Sequence, residues 1–130
     1  MQPNDVSLRV FLAEDSAPIR ERIAGLLAAQ HMDVVGGAAT PRDCIEAILR
    51  MHPDVVVLDM QLEGGSGLEV LRTVHRAEPG IAFVVFSNHA QPPYVKRYLA
   101  DGAASVLDKT LDFQRLAQAV EAARDANRIH

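Results

Sequence analysis

Apolar residues in this chain come in short unbroken runs, and each run ends on polar groups. Leu8-Arg9-Val10-Phe11-Leu12-Ala13 leads into Glu14-Asp15, and Val55-Val56-Val57-Leu58 leads into Asp59. Ile81-Ala82-Phe83-Val84-Val85-Phe86 leads into Ser87, and Ala104-Ser105-Val106-Leu107-Asp108 into Lys109. Between the runs, apolar residues recur at helical spacing. Ile19, Ile23, Leu26 and Leu27 mark a first helix that starts after Ser16, with Pro18 in its first turn. Met32 to Val35 read as a short second strand that frays into Gly36-Gly37. Thr40-Pro41 repeats the cap-plus-proline start, and Cys44, Ile45, Ile48 and Leu49 give the second helix its buried stripe until Pro53 stops it. Leu68, Leu71 and Val74 mark a third helix, ended by Pro79-Gly80. Tyr94, Val95, Tyr98 and Leu99 mark a short fourth, ended by Gly102. Thr110 is placed to cap a fifth, whose core face is Phe113, Leu116, Ala117 and Val120.

Strand-length runs alternating with helical patterns predict βαβ units, hence an α/β fold around a parallel sheet. The run Val55 to Leu58 has no alternation, which suits a strand covered on both faces. If the four runs are parallel strands of one sheet, Glu14, Asp15, Asp59, Ser87 and Lys109 all meet at one rim. In an open α/β sheet, ligands bind outside the carboxyl ends of the strands. Asp54 begins the third strand at the opposite rim and is assigned no role.

Composition narrows the classes. A chain of 130 residues, 48% hydrophobic and 23% charged, is expected to be one globular domain spanning residues 1–130, with its core at about 8–126. Its net charge of −4 argues against a nucleic-acid footprint over the whole surface. Arg72, Arg76, Lys96, Arg97, Arg115, Arg124 and Arg128 are spread over several segments and read as solvated helix faces. Cys44 is the lone cysteine, so no disulfide forms within the chain. Met1 to Asp5 lack the pattern of a secretory signal, and no apolar run approaches the ~20 residues that span a bilayer. A cytoplasmic location without membrane or nucleic-acid partners is therefore expected. Little sequence follows the last helical pattern, so no output domain is expected.

The chemistry follows from the rim. Glu14, Asp15 and Asp59 would bring two or three carboxylates within a few ångströms, where like charges repel and raise one another's pKa. A divalent cation removes that penalty, and few carboxylates at a wet rim suit Mg²⁺. Lys109 supplies a mobile cation for a phosphate oxygen, and Ser87 supplies a hydroxyl donor. Asp59 is then the candidate nucleophile, since a carboxylate can accept a phosphoryl group as an acyl phosphate. The five histidines have no paired ligand spacing, which argues against zinc. Gly64-Gly65-Ser66-Gly67 lacks the GxxxxGK[ST] pattern of a nucleotide-binding P-loop.

These motifs in this order resemble the receiver domain of bacterial two-component response regulators, of the stand-alone type. The matching pieces are Glu14-Asp15, the segment Pro53 to Asp59 followed by Gly64-Gly65-Ser66-Gly67-Leu68, Ser87, and Gly102-Ala103 ahead of Lys109. The resemblance implies a doubly wound, flavodoxin-like five-stranded parallel sheet in strand order 2-1-3-4-5. It implies that Asp59 accepts a phosphoryl group from a histidine kinase or a histidine phosphotransfer domain. Mg²⁺ would be held by Asp15, Asp59 and the backbone carbonyl of Gln61, with Glu14 acting through water. Ser87 and Lys109 would grip the phosphoryl group. Signalling would pass to a protein target through the face made by the fourth helix, fifth strand and fifth helix, from a monomer or weak homodimer.

The chain also departs from that family. Val106 stands where the family usually has a switch aromatic. Thr110 stands where it usually has a proline, often after a cis bond. Asn88 stands where a small residue is usual, and Gln61 and His89 occupy places where the family tunes dephosphorylation. The alternative function is a receiver-fold binding module whose output ignores phosphorylation. A haloacid-dehalogenase-like phosphatase is the distant third; it needs an aspartate two residues after Asp59, where this chain has Gln61. The expectation is a signalling protein, not a metabolic enzyme.

Overall fold

A computed structural model describes residues 7–128. The N-terminal stretch Met1 to Asp5 lies outside these residues. Five strands form the main sheet: β1 (Arg9–Ala13), β2 (Asp33–Ala38), β3 (Val55–Leu58), β4 (Ala82–Ser87) and β5 (Ser105–Asp108). All pairings are parallel, in the order β2-β1-β3-β4-β5. That is the predicted doubly wound order, with its reversal at β1.

Helices α1 (Ala17–Ala28) and α5 (Leu116–Arg128) cover one face. Ile23, Leu27, Leu116 and Val120 pack there on Val10, Leu12, Val55, Val57 and Val84. Helices α2 (Pro41–Met51), α3 (Gly67–Ala77) and α4 (Pro92–Ala100) lie on the other face. Cys44, Ile48, Val70, Leu71, Val74 and Tyr98 pack there on Phe11, Val56, Leu58, Phe83 and Val85. The alternation along each strand sends successive side chains into the two separate cores. Val55 to Leu58 are buried throughout, as an unbroken apolar run requires of a strand covered on both sides.

The predicted caps hold at two helices. Ser16 accepts a hydrogen bond from the Ile19 N–H, and Thr40 from the Asp43 N–H at 3.1 Å. Four local expectations need correction. First, β2 does not fray at Gly36-Gly37 but runs through both to Ala38, after a register shift between Val10 and Phe11. Both glycines are closely covered: a Cβ at Gly36 would crowd the Met51 side chain at 3.1 Å, and one at Gly37 would lie 3.0 Å from the Leu12 carbonyl oxygen. Second, Thr110 caps no helix. A turn and a short 3₁₀ segment, Phe113–Arg115, precede α5. Third, the glycine-rich loop after Asp59 folds as a small antiparallel hairpin, with Gln61 opposite Ser66. Fourth, Tyr98 is the one buried residue of α4, whereas Tyr94 and Leu99 are exposed. No helix among the described residues is long and apolar enough to cross a membrane.

Phe83 lies on β4 opposite Val56 of β3 and is 1% exposed. Phe83→Ala is expected to cost about 3–5 kcal/mol, through lost transfer energy and the cavity left behind. Leu111 is 81% exposed, and Leu111→Ala should stay within about 0.5 kcal/mol of the parent. Urea denaturation midpoints of the two variants check the contrast.

Candidate functional site

Parallel strands end together, so their following residues converge on one rim. Asp59 leaves β3 and donates its N–H to the Ala13 carbonyl at 3.0 Å, which ties it beside the end of β1. Glu14 follows β1 and is tied by its N–H to Ala38 of β2. Lys109 follows β5, and its N–H reaches the Ser87 carbonyl at the end of β4. The predicted residues are therefore brought together by ladder hydrogen bonds that continue one step past the strands.

The Lys109 ammonium sits between two carboxylates. It bonds Asp59 Oδ2 at 2.8 Å and also bonds Glu14 Oε1. All three side chains are nearly buried, about 10% exposed or less. Burial alone would lower the ammonium's pKa, but the bonds to Asp59 and Glu14 outweigh it and hold the group above its ordinary value. Glu14 is pushed the other way from a surface carboxylate. Burial raises its pKa, and the Asp59 charge adds to the rise. The bonds from Lys109 and the Ser16 N–H oppose it. Asp15 is exposed at the same rim. One carboxylate oxygen each from Glu14, Asp15 and Asp59 lies within 4.8 Å of the others. Three carboxylates against one ammonium leave an excess of negative charge. That donor set of hard oxygens fits a divalent cation of the Mg²⁺ kind.

The remaining predicted residues fall as follows. Gln61 is exposed in the hairpin, and its N–H points to Asp59 Oδ1 at 3.4 Å. Together with Asn88 and His89 it lines a cavity of about 210 Å³ over the carboxylates and Lys109. Ser87 ends β4 beside Asp108 but is fully buried, and its hydroxyl accepts the His89 N–H at 3.1 Å. It does not line the cavity. Val106 is half-buried in β5 and packs on the core that holds Tyr98. The Lys109–Thr110 bond is trans, since no described peptide bond is cis. Thr110 Oγ1 lies 3.5 Å from Asn88 Oδ1.

Sequence reasoning missed several supports of this site. Asp108 Oδ1 accepts the N–H groups of Thr110 and Leu111 at 2.8 and 2.9 Å, and Asp112 accepts the N–H of Asp108. These carboxylates fold the turn that carries Lys109 without any proline. An aspartate flanked by turn residues is the signal that could have found it. The Arg20 guanidinium donates to the Glu14 carbonyl, fixing the backbone between β1 and the acid pair. Only the fold reveals that role. Gly67 is the third support. A Cβ there would lie 2.1 Å from the Asp59 carbonyl oxygen, so glycine alone lets α3 begin against the acid.

Comparison with known proteins gives one family. The family described as response regulator receiver domain matches residues 10–121. Response regulator GacA of Pseudomonas aeruginosa is 31% identical over 114 residues, which is 87% of this chain and 53% of that protein. The transcriptional regulatory protein DesR of Bacillus subtilis is 27% identical over 124 residues, 95% of this chain and 61% of that protein. This chain thus spans little more than half the length of these curated relatives. A CheY-like receiver domain protein from Methanospirillum hungatei has the same fold, with a TM-score of 0.86 at 19% identity over 95% of this chain and 98% of that one.

Gly67→Ala tests the close approach at Asp59. It should lower stability by about 1–3 kcal/mol, as overpacking does. It should also move the amide resonances of Asp59, Met60 and Gln61. Gly80→Ala has open space around it and should leave those three resonances in place. Denaturant melts and amide spectra of the two variants check both points.

Proposed function

Because this chain belongs to the response regulator receiver domain family, we propose that it is a phosphorylation-controlled signalling switch with Asp59 as phosphoacceptor. The observation that carries this is the Lys109 ammonium held between Asp59 and Glu14 at the carboxyl rim of the sheet. The donor is a phosphohistidine of a histidine kinase or a histidine phosphotransfer domain. The Asp59 carboxylate oxygen attacks phosphorus in line with the phosphorus–nitrogen bond. A new oxygen–phosphorus bond forms, and the electron pair of the broken bond leaves with the imidazole, which takes a proton from solvent. The product is an acyl phosphate.

The residues divide the work by charge. Lys109 follows the negative charge from the carboxylate to the phosphoryl oxygens, a shift its mobile stem permits. The turn built by Asp108 and Asp112 anchors that stem. Asp15, Asp59 and the Gln61 carbonyl would hold Mg²⁺, with Glu14 acting through water. When bound, the ion supplies neutralisation of charge on the transferring phosphoryl group. Ser87 donates its hydroxyl proton to a phosphoryl oxygen, while the same Oγ accepts the His89 N–H. A shift of the hydroxyl toward the phosphoryl group is therefore felt by the loop leading into α4. Asn88 and His89 narrow the approach to Asp59, since both line the cavity. The output goes to a protein target through α4, β5 and α5.

One observation favours the second reading, a binding module indifferent to phosphorylation. Val106 packs in the core where a rotating aromatic would report the event. Two measurements separate the readings. Incubated with acetyl phosphate and Mg²⁺, the protein should gain one phosphoryl group by mass spectrometry, and Asp59→Asn should gain none. An undiminished mass gain in that variant would place the acceptor elsewhere.

Ser87→Ala should still be labelled but should lose most of the phosphorylation-dependent shifts at Tyr94 to Leu99. The hydroxyl–phosphoryl bond differs between the two states, and charge-assisted bonds of this kind are worth about 1.5–3 kcal/mol. Its loss should reduce the active population by about ten-fold or more. Amide spectra of parent and variant, each with and without the phosphodonor, give the comparison. Equal shifts in both would favour the second reading.

A further inference from the structure

Helix α4 is the least covered of the five α-helices. Of its nine residues only Tyr98 is buried, and Tyr94 is 52% exposed one turn earlier on the same side. Beside this pair, between α4 and the hairpin after Asp59, lies a cavity of about 370 Å³. That is large for a domain whose interior packs densely, and it is open at the surface. Met60, Leu68, Tyr94 and Tyr98 give it apolar walls, and Arg97 and His89 stand at its edge. No acidic residue lines it, in a chain that carries 17 acidic against 13 basic residues. Arg97 makes no ion pair among the described residues, whereas Arg72 on α3 is held by Asp101 at 2.8 Å. Helix α4 itself contains Lys96 and Arg97 and no acid.

We propose that this groove docks a short acidic segment of a partner protein, which seats one aromatic or aliphatic side chain between Tyr94, Leu68 and Tyr98 and a carboxylate against Arg97. Charge complementarity selects the partner's sign: an unpaired guanidinium beside an acid-free apolar pocket recruits a carboxylate and disfavours a basic segment. The volume accommodates one large side chain, the anchor on which such contacts depend. No described residue of β5 or α5 lines the groove, so it adds a docking surface beside the one made by α4, β5 and α5.

The groove also shares two wall residues with the carboxylate site, Gln61 and His89. The Gln61 N–H points to Asp59, and the His89 N–H donates to Ser87. Any event that reorients Asp59 or Ser87 therefore moves two walls of the groove. Linkage then makes peptide affinity depend on the state of Asp59, and makes the lifetime of that state depend on the peptide. This coupling rests on the phosphoacceptor reading; the docking does not.

A random peptide display library, selected on the immobilised full chain, tests the proposal. Recovered sequences should be rich in Asp and Glu around a single aromatic or aliphatic residue. The strongest peptide, followed by fluorescence anisotropy, should lose at least about ten-fold in affinity to Arg97→Glu and to Tyr94→Ala. Arg97→Lys should be hurt less than Arg97→Glu. Both sites are exposed, so circular dichroism should show unchanged folding. Amide shifts on binding should centre on Leu68, His89, Tyr94 and Arg97. Recovery of basic or uncharged peptides, binding unaffected by Arg97→Glu, or shifts centred on Leu99 and α5 would overturn the proposal. So would a DNA duplex or a phosphatidylglycerol vesicle that competes with the peptide for Arg97. Repeating the titration after treatment with acetyl phosphate and Mg²⁺ should change the affinity by at least about three-fold. Unchanged affinity with Asp59 labelled would overturn the coupling. Absence of label on Asp59 would instead sink the phosphoacceptor reading and leave the docking result standing.

Discussion

The bridge from Lys109 to Asp59 and Glu14 is the contact around which the rim is organised. Two nearly buried carboxylates side by side carry a large penalty when charged and unpaired. One ammonium, itself nearly buried, answers both. The arrangement holds only if three strand ends are fixed relative to one another, because the three groups belong to β1, β3 and β5. The sheet supplies that rigidity, and the residues just past each strand extend its ladder: Glu14 to Ala38, Asp59 to Ala13, Lys109 to Ser87. The site is therefore ordered and open to solvent for one reason. Its charges lie at the last point where a rigid scaffold can still hold them and solvent can still reach them.

A pair of this kind is poised for exchange. The ammonium engages the same Asp59 carboxylate that would carry a phosphoryl group, so a new anion at that position finds its counter-charge in place. The negative excess of the three acids gives a divalent cation its reason to bind. Ser87 differs from these groups. It is buried, does not line the carboxylate cavity and accepts the His89 N–H. In the proposed switch the charged groups would be in place beforehand, whereas Ser87 would have to move together with the loop ahead of α4.

The loosest part of the fold adjoins the most constrained part. Helix α4 buries a single residue, and the groove beside it shares walls with the carboxylate cavity. Weak packing leaves a helix free to respond, since segments with few buried contacts open at low cost. In this chain Val106 replaces the usual aromatic, so Tyr98 is the bulky side chain that joins α4 to the core. Its hydroxyl lies 3.5 Å from the Met60 carbonyl, one residue past Asp59.

Hydrophobic pattern alone determined the parallel sheet, the five helices and the rim where Glu14, Asp15, Asp59 and Lys109 meet. Short apolar runs of strand length, alternating with helical patterns, indicate strands of a covered parallel sheet, and the polar residues at their ends then fall on one rim. The caps at Ser16 and Thr40 were legible for a similar reason, because a cap bonds residues only three positions away. The strand order came from the motifs and their family resemblance, since alternation does not state which strands are neighbours. Tertiary structure alone decided what depends on distant partners. The β2 strand runs through Gly36-Gly37 because both pair with β1, Phe11 opposite Gly36 and Leu12 opposite Gly37. Gly67 is required by the Asp59 carbonyl, and Lys109 is carried on an aspartate-built turn in place of a proline. Tyr94 and Tyr98 share a helix face by sequence, yet Tyr98 packs into the core whereas Tyr94 borders an open cavity. Periodicity fixes which side of an element is apolar; how far a neighbour extends over that side is a property of the assembled fold.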